Sequence, residues 1–451
     1  MTKRQRLALI AVILSSSVVF LDGSIVNLAL PKIAHDLGAG FSSLQWVAEG
    51  YLLSLSALIL LGGTLGDIRG RKRIYMVGLA GFGVTSLLCA VMPSIQALIA
   101  ARILQGVFGA LLIPGALAII ETNFPAHERG PAFGHWTAWT SAAMAVGPLL
   151  GGYLIDTFSW RWIFFINIPL LIASFMLARR GIKESHDPAP RRLDLAGAWL
   201  GAMALVGVTY GLIEGPVQHW GWLSSASLGL GVVLAVVFVM VERRVSDPML
   251  SLELFRSQDF DAANLTTFAL YGALGGFFFA LTIYLQTTVG FSSLEAGLST
   301  LPVTLFLVFL SSRFGAMAGR VGARRFMTAG PILVGLGIFW LWPLHHGAVY
   351  WRDILPGICL FGLGMSMTVA PLTTTVMAAV GHAHSGIASA VNNAVARVSG
   401  LLIIALLGLL GTAYVYQFTV VLCGVLAIVA GLTSYALLRE RRLKPNFRSG
   451  A

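Results

Sequence analysis

The chain has 451 residues, 57% of them hydrophobic and 11% charged, with a formal net charge of +11. Soluble domains carry about 25% charged residues, so this composition, with a mean hydropathy of +0.83, excludes an ordinary soluble protein and indicates an all-α, polytopic membrane protein. The basic excess would suit a nucleic-acid partner, but its distribution along the chain argues for membrane topology and for no nucleic acid.

The first predicted span, 7–31, is an apolar run with Asp22 in its middle. About 20 residues at a rise of ~1.5 Å cross the hydrocarbon, and a carboxylate at mid-span costs about 2.5–3.5 kcal/mol on insertion scales. The cost is tolerable where the acid faces water, meets a cation or takes up a proton. Asp22 is therefore a functional candidate, with a purely structural packing role as the alternative. Lys3, Arg4 and Arg6 ahead of an apolar run resemble the start of a secretory signal. The run is too long for one, holds an acid and lacks a small-x-small cleavage site, so a retained span is expected.

Further spans are predicted near 44–66, 74–92, 97–119, 133–155, 160–179, 195–214, 221–241, 263–289, 294–313, 326–344, 353–379, 387–411 and 415–438, making 14 transmembrane helices. An even number puts both termini on one side. Alternate loops gather Lys3 to Arg6, Arg69 to Arg73, Arg129, Arg179 to Arg192, Arg243 to Arg256, Arg313 to Arg325 and Arg439 to Arg448. The opposite loops hold only Lys32, Arg161 and Arg352, while Arg102 and Arg397 fall inside spans. The positive-inside rule then makes both termini cytoplasmic. Cys89, Cys359 and Cys423 all lie in apolar spans, so no disulfide framework is expected.

An internal repeat runs through the chain. Phe41-Ser42-Ser43-Leu44 recurs as Phe291-Ser292-Ser293-Leu294, and the string Gly63 to Lys72 is echoed by Gly315 to Arg324, at offsets of 250 and 252. Two echoes at nearly one spacing imply two related halves. The expected organisation is a six-helix bundle over 1–180, linkers and a two-helix insert over 181–255, a second six-helix bundle over 256–440, and a cytoplasmic tail at 441–451.

Within the Gly63 to Arg73 turn, Gly66 and Gly70 permit a tight connection. Asp67 can pair with an arginine or dock on a helix N-terminus, a contact suited to a conformational latch. The arginines of the turn, Arg71 among them, read first as topology anchors and only second as part of a gate. Arg102 in mid-span is expensive unless paired, and Asp22 is its nearest opposite charge in the same half. An acid poised between a cation, which favours its charged form, and apolar surroundings, which favour the neutral form, suits proton carriage; a static ion pair is the other reading. Gly147-Pro148-x-x-Gly151-Gly152 kinks a helix and allows close approach, which suits either a leak-preventing seal or ordinary packing. Glu49, a turn into the second span, reads as a second proton site, a cation contact or an interfacial cap. Ser292-x-x-Glu295 forms a capping box that Ser42-x-x-Gln45 repeats.

The Gly63 to Lys72 string resembles the loop signature between helices two and three of the major facilitator superfamily. Leu98 to Ala110, with Arg102 inside it, is similar to that family's fourth-helix motif, and Ala143 to Gly152 to the fifth-helix motif of its antiporters. Leu21 to Pro31 and Trp160 to Pro169 look like hallmarks of its fourteen-span drug:proton antiporter branch. The resemblance extends through Asp194 to Gly197, Tyr284 to Gln286 and Gly386 to Gly400, covering nearly the whole chain. It implies two six-helix bundles with an extra central hairpin, and a proton-coupled exporter of hydrophobic or cationic small molecules, resident in the plasma membrane. It implies no cofactor, the proton gradient serving as the energy source. Gly319 stands where a second-half latch acid would be, and no acid occupies the thirteenth span, where some relatives carry one.

Candidate cavity residues are Asn27, Trp139, Tyr271, Asn392, Asn393 and Arg397, although Asn27 lies about 140° round the helix from Asp22. His345, His346, His382 and His384 form no convincing metal set. No phosphate-binding Gly-x-x-x-x-Gly-Lys-Ser/Thr loop is present, so neither ATP hydrolysis nor another enzymatic activity is expected. Two rival readings are a dedicated exporter of an endogenous metabolite or lipid and a transport-inactive receptor, which would need a large soluble domain.

Overall fold

The computed structural model describes residues 1–186, 194–245, 252–380, 385–410 and 415–439. Arg191, Arg192, His382, His384 and the tail at 441–451 lie outside the described residues. Within them the chain is helical throughout, without a strand. The α-helices are α1 (Lys3–Leu37), α2 (Phe41–Arg69), α3 (Arg71–Val91), α4 (Ile95–Asn123), α5 (Ala126–Thr157), the short α6 (Trp162–Phe165), α7 (Asn167–Gly181), α8 (Leu195–Val217) and α9 (Trp222–Glu242). After them come α10 (Gln258–Tyr284), the short α11 (Ser293–Ser299), α12 (Leu301–Val321), α13 (Ala323–Trp340), α14 (Leu355–Ala378), α15 (Ser385–Leu407) and α16 (Val415–Leu437).

Twelve candidate spans among the described residues are long and apolar enough to cross a membrane, or 13 if the bent α2 counts as one. That helix turns by 49° between Phe41–Ile59 and Leu61–Arg69, beside the Gly62-Gly63 pair, a usual cause of kinks. The span predicted at 326–344 corresponds to α13, which has 18 residues and opens on Ala323, Arg324 and Arg325. At 1.5 Å per residue it reaches about 27 Å, short of the ~30 Å hydrocarbon. Conversely, α1 outruns its apolar core, because Thr2 and Gln5 form a capping box that starts the helix among charged residues.

The chain divides into two compact units. The first comprises Met1–Leu250, Thr282–Leu298 and Ile404–Thr412; the second comprises Ser251–Leu281, Ser299–Ile403 and Ala413–Ala451. In the first, glycines let backbones meet: a Cβ on Gly62 would strike the Ala110 carbonyl, and one on Gly106 would strike Tyr51 and Ser54. This brings α2 against α4, as the small-residue rule for membrane helices anticipates. The same device recurs in the second unit, where Gly330 of α13 faces Gly364 of α14, and Gly337 faces Gly357. The helices α8 and α9 form an antiparallel pair in which Gly207 meets Gly231.

Two capping expectations part company. Ser292 and Glu295 make the reciprocal box, with bonds of 2.8 and 3.2 Å. Ser42 and Gln45 do not: α2 starts after Gly40 without a side-chain cap, Ser42 Oγ donates to Glu214 at 3.0 Å, and Gln45 Nε2 donates to the Ile404 carbonyl at 2.5 Å. Tertiary partners offered by α8 and the end of α15 outcompete the local cap.

Candidate functional site

The close approach of α2 and α4 carries Arg102 to the centre of the first unit, where both it and Asp22 are 1% exposed. Arg102 Nη1 donates to Asp22 Oδ2 at 2.5 Å and to Gln105 Oε1 at 2.7 Å, and its Nε donates to the Val47 carbonyl at 3.1 Å. The guanidinium also lies over the Tyr51 ring, 4.3 Å from its centroid. On the other carboxylate oxygen, Asp22 Oδ1 accepts from Asn167 Nδ2 at 3.1 Å and from Gln105 Nε2 at 3.2 Å. Asn167 Nδ2 also donates to Ser86 Oγ at 3.0 Å, whose hydroxyl donates to the Phe164 carbonyl at 3.0 Å. Four helices, α1, α3, α4 and α7, thus converge on one carboxylate. Such a network makes a buried ion pair tolerable, since burial costs more than the pair's attraction unless the remaining lone pairs are satisfied.

The arrangement has a chemical consequence. If Asp22 gains a proton, Arg102 keeps Gln105 Oε1, the Val47 carbonyl and the Tyr51 ring as partners. A guanidinium with this second set of contacts can stay in place while the acid changes charge.

The α5 glycines bear directly on α1 at this level. A Cβ on Gly147 would lie 2.6 Å from Ser24 Oγ, and one on Gly151 would strike Ile25. The adjacent face of α5 meets α11: a Cβ on Gly152 would lie 2.5 Å from Leu294 Cα, and one on Gly297 would lie 2.6 Å from the Pro148 carbonyl oxygen. Asp156 fastens that contact, accepting from the Ser293 and Leu294 amides at 3.1 and 2.8 Å.

Glu49 is 0% exposed, and neither of its carboxylate oxygens has a hydrogen-bond partner among the described residues. The interfacial-cap reading therefore falls away, because a cap must hold amides. At the other end of α2, Asp67 Oδ1 accepts from Arg71 Nε at 2.7 Å, next to Gly70, whose φ of +107° needs a residue without Cβ. A Cβ on Gly63 would lie 3.4 Å from Pro114 Cβ, an ordinary packing distance.

In the second unit, Tyr271, Asn392 and Asn393 line one polar cavity of about 70 Å³ with Thr373 and Ser389. Asn392 Nδ2 donates to Asn264 Oδ1 at 3.1 Å and to Thr267 Oγ1 at 2.6 Å. Arg397 follows one turn beyond Asn393, half-buried. Asn27 is half-buried outside the Asp22 network, and Trp139 is 61% exposed. Its neighbour Trp136 makes the inward contact, donating to Ser16 Oγ at 3.0 Å. Phe277 is a core residue, 0% exposed and stacked on Phe361 with centroids 5.7 Å apart.

Sequence reasoning did not assign Gln105 and Asn167 to the site. The signal for Gln105 was its place three residues after Arg102, on the same helix face. For Asn167 it was an amide at the start of an apolar helix, which needs partners once buried.

The Major Facilitator Superfamily model matches residues 12–255 and 263–451. The chain is 35% identical over 410 residues to the multidrug resistance protein Stp of Mycobacterium tuberculosis (strain ATCC 25618 / H37Rv), covering 90% of this chain and 76% of that protein. It is 37% identical to the puromycin resistance protein pur8 of Streptomyces alboniger, covering 90% and 81%. It is 33% identical to the tetracenomycin C resistance and export protein of Streptomyces glaucescens, covering 89% and 75%. Among solved structures, a peptide transporter POT in complex with sulfate superposes with a TM-score of 0.72 at 14% identity, covering 97% of this chain and 98% of that one. The xylose transporter XylE from E. coli gives 0.66, also at 14%, covering 97% of each chain. At such identities the structures speak for the fold alone.

Proposed function

Because the chain belongs to the Major Facilitator Superfamily, we propose that it is a proton-coupled antiporter of the family's fourteen-span drug:proton branch, exporting hydrophobic or cationic drugs and toxic compounds by alternating access. On this reading α13 is the fourteenth span, α8 and α9 are the extra central hairpin between two six-helix bundles, and both termini face the cytoplasm across the plasma membrane. The relatives, named as multidrug and antibiotic resistance or export proteins, support the substrate class.

The observation that carries the proposal is the double set of partners around Arg102. Asp22 takes a proton when the site opens to the outside, Arg102 falls back on Gln105, Val47 and Tyr51, and the altered packing of α1 on Gly147 and Gly151 favours substrate release. Loss of the proton inside restores the pair. Glu49, buried without a partner, serves as a second protonatable group. Gly63, Asp67, Gly70 and Arg71 form the latch, and Pro148 and Gly152 help seal the bundle through α11. Tyr271, Asn392, Asn393 and Arg397 face the substrate from the second half.

The test uses proteoliposomes with an imposed pH gradient and a panel of cationic and neutral dyes. The expected result is gradient-dependent dye movement that Asp22→Asn abolishes at equal protein content. Movement that persists unchanged in Asp22→Asn removes this residue from the mechanism. A second reading, a dedicated exporter of one endogenous metabolite or lipid, draws on relatives named for single compounds, tetracenomycin C and puromycin. A ligand-stability screen in which one compound class alone raises the melting temperature would favour it.

A further inference from the structure

A polar stripe runs down the face of α2 that meets α8. Ser42, Gln45 and Glu49 recur at three- and four-residue spacing, so they share one side of the helix. The two helices run antiparallel there. Ser42 Oγ donates to Glu214 Oε1 at 3.0 Å, Trp46 Nε1 donates to the same oxygen at 2.8 Å, and the Trp46 and Tyr210 ring centroids are 6.2 Å apart. Glu214 thus lies at the height of Ser42 and Trp46. Five residues back along α8, at ~1.5 Å each, Thr209 comes level with Glu49.

At that level acceptors outnumber donors. Gln45 Nε2 is committed to the Ile404 carbonyl, which turns the amide oxygen away from it. Gln45 Oε1, both oxygens of Glu49 and Thr209 Oγ1 have no hydrogen-bond partner among the described residues, and all three residues are 0% exposed. A backbone oxygen joins them. Pro216 stands four residues after Leu212 inside α8 and has no N–H, so the Leu212 carbonyl lacks its usual helical donor. A Cβ on Gly408, just beyond α15, would lie 3.0 Å from Gln45 Oε1 and 3.5 Å from the Leu212 carbonyl oxygen. Both helices therefore turn oxygens toward one place. A neutral Glu49 would have a proton to give to Gln45 Oε1 or Thr209 Oγ1, yet neither is bonded to it. One negative charge among neutral oxygens suits a hard monovalent cation, whereas a divalent ion would leave a positive charge unmatched in hydrocarbon.

We propose that the junction of α2 and α8 binds a monovalent metal cation, sodium or potassium, held by the Glu49 carboxylate, Gln45 Oε1, Thr209 Oγ1 and the Leu212 carbonyl. Helix α8 then contributes half of an ion site as well as a span. A proton and the metal ion compete for Glu49. Binding here requires neither Asp22 nor transport, and so goes beyond the proton coupling assigned to Asp22.

The experiment measures radiolabelled sodium on the purified full-length chain in choline chloride by scintillation proximity, with unlabelled sodium or potassium as competitor. Thermal melts in sodium, potassium or choline chloride at constant ionic strength accompany it. Wild type is expected to bind sodium saturably and to melt higher in sodium or potassium than in choline; the ion that displaces the label at lower concentration is the one the site prefers. Glu49→Gln abolishes both effects, Thr209→Val weakens binding about tenfold, Thr209→Ser restores it and Asp22→Asn retains it. Glu49→Leu melts above wild type in choline and loses that advantage in sodium. No saturable binding and no cation-dependent melting in wild type, the result for a carboxyl that is simply protonated, overturns the proposal. Binding that survives Glu49→Gln, or that Asp22→Asn removes, overturns it as well. Melts in choline show that each variant is folded, and Thr209→Val, which changes no charge, keeps the test decisive if Glu49→Gln misfolds.

Discussion

Removing one member of the Asp22–Arg102 pair tests whether the network around it behaves as one unit. Asp22 accepts three hydrogen bonds, from Arg102, Gln105 and Asn167. Arg102 gives three, to Asp22, Gln105 and Val47. Breaking a buried ion pair from one side costs about 3–5 kcal/mol, because the remaining charge is stranded. Asp22→Asn belongs at the lower end, about 3 kcal/mol, since the amide oxygen still accepts from Asn167. Asp22→Ala belongs near the upper end, about 5 kcal/mol, because it also orphans the Gln105 and Asn167 donors. The double variant Asp22→Asn/Arg102→Gln strands no charge and is expected within about 2 kcal/mol of wild type, as replaced buried pairs often are. Equilibrium unfolding of the purified chain in mixed detergent micelles reads wild type, Asp22→Asn, Arg102→Gln and the double variant as a double-mutant cycle, with Asp22→Ala measured beside them. A double variant no more stable than the weaker single one refutes the account. The same proteins in proteoliposomes separate roles: the double variant recovers stability but not gradient-driven transport.

Glu49→Leu removes a buried carboxyl that has no partner, so the melting temperature rises, corresponding to about 1–3 kcal/mol; a fall would mean that the carboxyl is held by something important. Gly106→Ala drives a methyl into Tyr51 and Ser54 and costs about 1–3 kcal/mol, whereas Gly23→Ala, with nothing within 4 Å of the new Cβ, leaves stability unchanged or up to about 1 kcal/mol higher through helix propensity. Thermal melts of the two side by side decide this, and equal losses would contradict the packing described. Asp67→Asn removes a partly exposed i,i+4 pair worth about 0–1 kcal/mol. Dye efflux at matched expression should therefore fall while the melting temperature hardly moves, and a large loss of stability would make Asp67 a structural residue.

Much of this protein is written locally. Hydropathy accumulates residue by residue, so the spans from α1 to α16 could be read without knowing what they touch. The signal is weakest at α13, predicted as the span 326–344, where two arginines and an 18-residue length dilute it. Asp22 and Arg102 stood out for the same reason, since each is costly in hydrocarbon wherever it points. Polar groups that are cheap to carry escape such reasoning. Gln105 and Asn167 declare themselves only when four helices deliver them to one carboxylate, and Gln45 chooses the Ile404 carbonyl over its own helix start because a tertiary acceptor lies within reach.

What the sequence alone determined was which segments are helical and apolar, that the chain repeats itself, and which charges demanded an explanation. Only the tertiary structure decided how those charges are answered: Asp22 by three donors, Glu49 by none among the described residues, the α3 start by Glu184. The physical reason is range. Helix formation and transfer into an apolar medium depend on neighbours within a few turns, whereas a hydrogen bond between Asp22 and Asn167 depends on the packing of everything between them.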